Sequence, residues 1–169
     1  GGVGSIAIQL AKRAGLHVIA TASRAESRQW VTNLGADAVI DHHGDMPRQM
    51  ANHGPATVDH ILCLNATDRH WAAMAALIAP QRIICSIVES PTPLDLASIR
   101  TKSTSFVWEY MFTRSMFRTD DMVEQHHLLK RIAGFIDAGE IRTTMTEVLG
   151  PIDAQHLRRA HAMIESGRT

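Results

Sequence analysis

The feature that most constrains this chain is a repeated alternation of short apolar runs with stretches of helical spacing. LHVIATAS, ADAVID, VDHILCLNAT and QRIICSIVES are rich in β-branched and apolar residues and too short to be helices. Between them lie a polar start at Ser23 to Glu26 leading to Trp30, Val31 and Leu34, a weaker short helix in DMPRQMANHG, and a stronger one in DRHWAAMAALIA. Strands that are apolar throughout need cover on both faces, and a helix between successive strands returns the chain to start the next strand in the same direction. The expected fold is therefore α/β, a doubly wound parallel sheet. With 169 residues, 45% of them hydrophobic, the chain has enough apolar material for one such core.

The alternation opens on a helix. GGVGSIAIQLAK sets Val3, Ile6, Ala7, Leu10, Ala11 and Ala14 at helical spacing, and Gly15 ends the pattern as a C-terminal glycine should. After Pro91 and Pro93 the pattern changes: LDLASIRTK can make a turn or two of helix, and TSFVWEYMF is an aromatic-rich strand candidate. A long helix is expected from about Asp121 to Ala138, with Met122, Val123, His126, Leu129, Ile132, Ala133 and Ile136 on one face. The final segment, EIRTTMTEVLGPIDAQHLRRAHAMIESGRT, reads as a strand, a Gly-Pro turn, an Asp-capped helix from about Asp153 and a stop at Gly167. No internal repeat, low-complexity tract or linker-like stretch marks a second complete domain.

Charge selects no partner. Seventeen Lys plus Arg balance seventeen Asp plus Glu, which gives no reason to expect nucleic acid or an anionic membrane surface. Cys63 and Cys85 sit inside apolar runs and read as buried thiols of a reducing compartment without disulfides. No apolar run approaches the roughly 18 residues that span a bilayer, and no signal-peptide pattern is present, so the expected setting is cytoplasmic.

Glycines directly before a helix can let a backbone approach a pyrophosphate closely and let the helix pack tightly on its strand, the phosphates lying at the helix's positive end. Gly1, Gly2 and Gly4, with Val3 between them, can fill those two roles; the tight-turn glycine and the strand before it would precede Gly1. Alone, GGVG is a weak signal. In order, however, GGVG with AIQLAK, the LGAD-x-VID strand, the VD-x-ILCLNAT strand and the final AH-x-x-I-E-S-G-R-T segment resemble the cofactor domain of the medium-chain dehydrogenase/reductase superfamily, in particular its quinone oxidoreductase-like and zinc-type alcohol dehydrogenase-like members. The likeness runs almost end to end, and FVWEYMFTRS with its long helix resembles a branch that looks zinc-independent.

The resemblance implies a Rossmann-like fold in which residues 1–138 form a dinucleotide-binding domain lacking its first strand. Residues 139–169 would return toward a catalytic domain outside this chain, which would hold most catalytic residues. It implies an oxidoreductase acting on a small-molecule carbonyl or quinone, and an aromatic edge strand makes a homodimer the expected assembly.

At the end of the second strand of such a fold, an acidic residue would bind the adenosine ribose and repel a 2′-phosphate. IATASRAESR has none at the strand end, and Ser23, Arg24 and Arg28 offer a hydroxyl and guanidinium groups instead, which favours NADP(H) over NAD(H). The other reading is that both arginines are solvated at a helix start. Residues closing the later strands, Asn65, Ala66 and Thr67, then Ser86, Ile87 and Val88, are expected to line the nicotinamide side. Phe106, with Val107 and Trp108, either approaches the nicotinamide or a neighbouring subunit, or packs as an edge strand in the core.

Metal binding by this chain is not expected. His42-His43 and His126-His127 are adjacent pairs whose side chains diverge on a strand or a helix, and no cysteine-rich loop exists. Ser86 and Ser103 lack evident His and carboxylate partners, and Tyr110 reads as an amphipathic strand residue. The expected function is an NADPH-dependent, zinc-independent reductase. The alternatives are a zinc-dependent alcohol dehydrogenase and a non-catalytic NADPH-sensing module.

Overall fold

A computed structural model of the chain describes residues 1–53 and 55–166. In chain order the elements are α1 (Gly2–Arg13), β1 (Ile19–Thr21), α2 (Ala25–Asn33), β2 (Ala38–Ile40), α3 (Met46–Ala51), β3 (Val58–Cys63), α4 (Thr67–Leu77), β4 (Ile78–Ser86), α5 (Ala97–Arg100), β5 (Ser105–Trp108), α6 (Thr113–Phe117), α7 (Val123–Asp137) and α8 (Ala154–Glu165). Local chemistry sets several of these limits. Gly15, at φ 78°, closes α1 by donating to Lys12 O at 2.9 Å while Leu16 N donates to Ala11 O at 3.0 Å, a paired cap that needs a left-handed residue. The short α3 forms because Asp45 Oδ1 accepts the Arg48 N–H at 3.0 Å and Pro47 lies in the first turn, where its missing N–H costs nothing.

All strand pairs are parallel. β1 pairs with β2 in the register Ile19↔Ala38 to Thr21↔Ile40. A second ladder runs β3-β4-β5, with Cys63↔Ser86 and Ser86↔Trp108 near its carboxyl end. Among the described residues no strand hydrogen bonds join the two ladders. The apolar core joins them instead. On one face of β1–β2, Ala20 and Val39 pack with Ile8 of α1 and Val31 of α2. On the other, Ile19 and Ile40 meet Met46 and Met50 of α3 and Leu77 of α4, together with Val58 and Ile61 of β3. Further along α4, Trp71, Met74 and Ala75 cover Cys63 and Ile84, aided by Ile99 of α5. Ile78 and Ile84 are wholly buried, each contributing about 1.5–3 kcal/mol of apolar transfer relative to exposure.

Cover on both faces, expected for every strand, is found on β1–β2 but not across β3–β5. Leu62, Cys85 and Val107 stand side by side in register on the face away from α4, and Leu62 is 49% exposed. Cys85 is accordingly half-buried rather than a core thiol, while Cys63 is buried; both are free. Helix α4 ends at Leu77 and β4 begins at Ile78, three residues before the apolar run QRIICS. The early start includes Pro80 and a left-handed Gln81 at φ 62°, and the pairing with β3 is irregular between Val58 and His60.

The C-terminal third departs most from expectation. No strand forms over residues 140–149, where Ile141 is the one buried residue. α6 was not legible in the sequence, and Tyr110 falls beyond the end of β5 in an exposed turn, edge-on to Phe112 at 5.6 Å. α7 matches its expected span, but Val123, Leu129 and Ile136 of its apolar stripe are exposed. Its C-terminal end meets α1 through the Arg13 guanidinium, 3.6 Å above the Phe135 ring, and an Arg13–Glu140 ion pair. α8 begins as expected, with Asp153 Oδ1 accepting the His156 N–H at 2.8 Å; the expected stop at Gly167 lies outside the described residues.

Candidate cofactor-binding site

Parallel strands bring their carboxyl ends to one side, where the connecting turns can converge on a ligand. The N-terminus of α1 reaches the same side: a Cβ on Gly4 would stand 3.4 Å from Cδ1 of Leu64, the residue after β3. The first intrahelical acceptor is Gly1 O, which receives Ser5 N at 3.0 Å and Ser5 Oγ at 2.9 Å. The N–H groups of Gly2, Val3 and Gly4 thus have no acceptor within the helix and lie at its positive pole. A Cβ on Gly1 or Gly2 would meet nothing within 4 Å, so the space before these donors is open. The glycines are therefore mostly first-turn residues of the helix rather than a turn ahead of it. The helix is held in place by Trp30 Nε1, which donates to Ser5 Oγ at 2.8 Å.

At the end of β1, Ser23 is half-buried and Arg24 exposed at the N-cap of α2, with no hydrogen bond or ion pair to its guanidinium among the described residues. Arg28 is engaged elsewhere. Its Nη1 donates to Ala22 O at 3.0 Å and its Nη2 to Val39 O at 2.9 Å, fastening α2 to both strand ends. Of the three residues read as a phosphate clamp, Arg24 has its charge free and Arg28 is chiefly a staple.

The β3–α4 turn is built differently from anything evident in the sequence. Asn65 is exposed, and Ala66 caps α4 in the left-handed region at φ 48°, uncommon for a residue with a Cβ. Thr67 is wholly buried; its Oγ1 donates to Val88 O at 2.6 Å and lies 2.6 Å from Ser86 Oγ. Ser86 is equally buried, so its hydroxyl faces protein, and at this strand end Ile87 and Val88, both half-buried, are the residues nearer the surface. Phe106 packs into the core, edge-on to Trp71 at 5.3 Å and Trp108 at 4.9 Å, which is its core-packing alternative. The expected contacts thus divide: Gly1, Gly2, Val3, Gly4, Ser23, Arg24 and Asn65 are open to a ligand, whereas the side chains of Arg28, Ser86 and Phe106 are occupied.

A cleft of about 390 Å³ opens between the β2–α3 turn and the start of α4, lined by His42, His43, Asn65, Ala66, Arg69 and His70. In the sequence the histidines stand out only as adjacent pairs, His42-His43 and His126-His127. What sequence spacing could not reveal is that His70 approaches His42, with ring centroids 6.0 Å apart. Burial, followed by His42, Arg69 and His43, holds the His70 imidazole below its ordinary value, opposed by Asp68. On β4, burial first and then Glu109 raise the Cys85 thiol.

These residues fit a dinucleotide, through first-turn N–H groups beside open space and, at the end of β1, a guanidinium unpaired among the described residues. Among the described residues no group of three His, Cys, Asp or Glu is arranged to hold a metal ion. Among the described residues no helix is long and apolar enough to cross a membrane.

The profile of the zinc-binding dehydrogenases matches residues 2–125. A zinc-type alcohol dehydrogenase-like protein of Staphylococcus aureus is 41% identical over 165 residues, 98% of this chain and 49% of that protein. A crystal structure of a Rhizobium etli protein assigned as a zinc-dependent alcohol dehydrogenase superposes with a TM-score of 0.91 at 45% identity, covering 100% of this chain and 49% of the other. A Pseudomonas syringae quinone oxidoreductase shares the fold, with a TM-score of 0.74 at 20% identity over 100% of this chain and 51% of its own. The chain belongs to the zinc-binding dehydrogenase family, within the medium-chain dehydrogenase/reductase superfamily, and has the family's NAD(P)-binding fold. It spans about half the length of the relatives it matches.

Proposed function

We propose that this chain is the cofactor-binding half of an NADP(H)-dependent oxidoreductase that reduces a carbonyl or conjugated enone, such as a quinone, without zinc. The observation that carries the cofactor choice is Arg24, exposed at the end of β1 and unpaired among the described residues, where the strand end carries no carboxylate to reject a 2′-phosphate. When bound, the cofactor supplies hydride transfer. The first-turn N–H groups of Gly2, Val3 and Gly4 would hold the diphosphate at the positive pole of α1. Ser23 and Arg24 would receive the 2′-phosphate, and Arg28 would keep that strand end rigid through Ala22 and Val39. Asn65 and the backbone at Ile87 and Val88 would bound the nicotinamide side, with Thr67 locking the two turns together.

The family's name and those of its relatives favour a second reading, a zinc-dependent alcohol dehydrogenase. Cofactor-oxidation assays with the full-length protein against quinones, enones and aldehydes, before and after chelation, separate the two. The proposal expects NADPH oxidation with one of these acceptors that survives chelation. Activity abolished by chelation and restored by zinc would support the second reading. Stoichiometric NADPH binding without turnover on any acceptor would point to a sensing module.

A further inference from the structure

We propose that Ser5, held by Trp30, is a positioning residue for the dinucleotide diphosphate: it fixes and polarises the Gly1–Gly2 peptide so that the Gly2 N–H meets the ligand as a strengthened donor. The inference rests on the reading of α1 as the helix that holds the diphosphate.

The hydrogen bonds at Ser5 can run in only one direction. An indole Nε1 donates and never accepts, so Ser5 Oγ accepts from Trp30, at 2.8 Å. The hydroxyl has a single proton, and its other contact, Gly1 O at 2.9 Å, takes it. Gly1 O also receives the Ser5 N–H at 3.0 Å, so two donors converge on one carbonyl. Ser5 is buried, and little water competes for its hydroxyl. A serine inside a helix commonly bonds back to the carbonyl four residues earlier. What is particular here is the donor from a second helix, which leaves the hydroxyl no other orientation.

The consequence falls on Gly2. The C=O and N–H of one peptide group share a planar conjugated unit, so hydrogen bonds at the oxygen draw density from the nitrogen and strengthen the N–H as a donor. Gly1 O belongs to the group whose N–H is that of Gly2, and that N–H has no acceptor within the helix. The same two bonds hold the peptide plane still in a stretch where glycine leaves the backbone most free. A donor set in advance loses less freedom when an anion arrives, which favours binding. Nothing screens it, because a Cβ on Gly1 or Gly2 would meet open space. Ser5 is anchored in turn: its carbonyl accepts Gln9 Nε2 at 3.1 Å, and Trp30 packs against the cluster of Ile8, Ala20 and Leu34. Helix α2, whose N-cap is Arg24, is thereby tied to the first turn of α1.

Two readouts on the full-length protein and its Ser5→Ala, Ser5→Thr and Trp30→Phe variants test this: the Gly2 amide resonance of ligand-free protein labelled at glycine nitrogen, and the dissociation constants of NADPH and NADH. In Ser5→Ala the Gly2 amide proton is expected to move upfield. Both cofactors are expected to bind roughly fivefold more weakly, because the diphosphate is common to them. Ser5→Thr keeps the hydroxyl and restores the resonance and both constants. Trp30→Phe keeps most of the ring's packing, frees the hydroxyl to turn away, and gives a smaller loss of the same kind, so the test stands if Ser5→Ala fails to fold. Lower thermal stability in Ser5→Ala with an unmoved Gly2 resonance and unchanged constants overturns the proposal, as does a loss confined to NADPH. If the unsubstituted protein binds NADPH and NADH equally and both weaken in Ser5→Ala, the NADP(H) preference fails and the role of Ser5 stands. Binding of neither cofactor overturns both.

Discussion

Gln9 and Arg142, 133 positions apart, exchange two hydrogen bonds: Gln9 Nε2 donates to Arg142 O at 3.2 Å, and Arg142 N donates to Gln9 Oε1 at 2.8 Å. A side-chain amide thus does for residue 142 what a neighbouring strand would otherwise do. The amide is buried, and Nε2 also donates to Ser5 O at 3.1 Å, so the contact ties the chain after α7 to the helix that opens the site. Gln9→Leu keeps the apolar bulk but leaves the Arg142 N–H and C=O without these partners. Urea unfolding is expected to show a loss of about 1–3 kcal/mol, with faster hydrogen exchange at the Arg142 amide. Unchanged exchange there would mean the pair is incidental.

Gly2 separates folding from binding. A Cβ at this position meets nothing within 4 Å, and a residue inside a helix gains from losing glycine's freedom. Gly2→Ala is therefore expected to leave thermal stability unchanged or slightly raised while weakening dinucleotide binding by roughly tenfold, because the methyl group enters the space in front of the free N–H groups. Equal cofactor affinity in the variant would place the diphosphate elsewhere.

Asp37 gives the fold an acid dependence whose sign is fixed by its partners. Lys12 Nζ reaches its two oxygens at 2.7 and 2.9 Å, and Val18 N donates to Oδ2 at 2.7 Å. The Lys12 hydrogen bond first, then the Val18 N–H, hold the carboxyl below the ordinary aspartate value, opposed by desolvation. A group lowered in the folded state contributes stability that is complete above its unfolded value and is lost as pH falls through its folded value. Stability should therefore decline on acidification below the ordinary aspartate range, less steeply in Asp37→Asn, as followed by denaturant midpoints across that range. Identical slopes for the two proteins would remove Asp37 from the account.

Periodicity carried most of the fold. Each apolar run became a parallel strand because a β-branched run bounded by polar turns satisfies its backbone in a ladder, although only β1–β2 is covered on both faces. Gly15 and Gly35 marked helix ends because their left-handed conformation, at φ 78° and 106°, suits glycine best. Residues 140–149 misled: the run suits a strand, but a strand also requires a partner to pair with, and sequence patterning says nothing of partners. The site was legible where it depends on backbone, at Gly1 to Gly4 and the strand ends. It was obscure where it depends on side-chain partners. Ser86 turned inward to Thr67, Arg28 to two carbonyls, and His70 toward His42, all contacts between distant positions that no local spacing encodes.

Selectivity for NADP(H) through the end of β1 is read from the dissociation constants of NADPH and NADH for the full-length protein and its Arg24→Asp variant. Among the described residues Arg24 has no partner to lose, so the substitution should act on the ligand rather than on the fold. NADPH affinity is expected to fall by more than about tenfold while NADH affinity changes far less. Equal losses for both cofactors, or an unchanged NADPH constant, would contradict it.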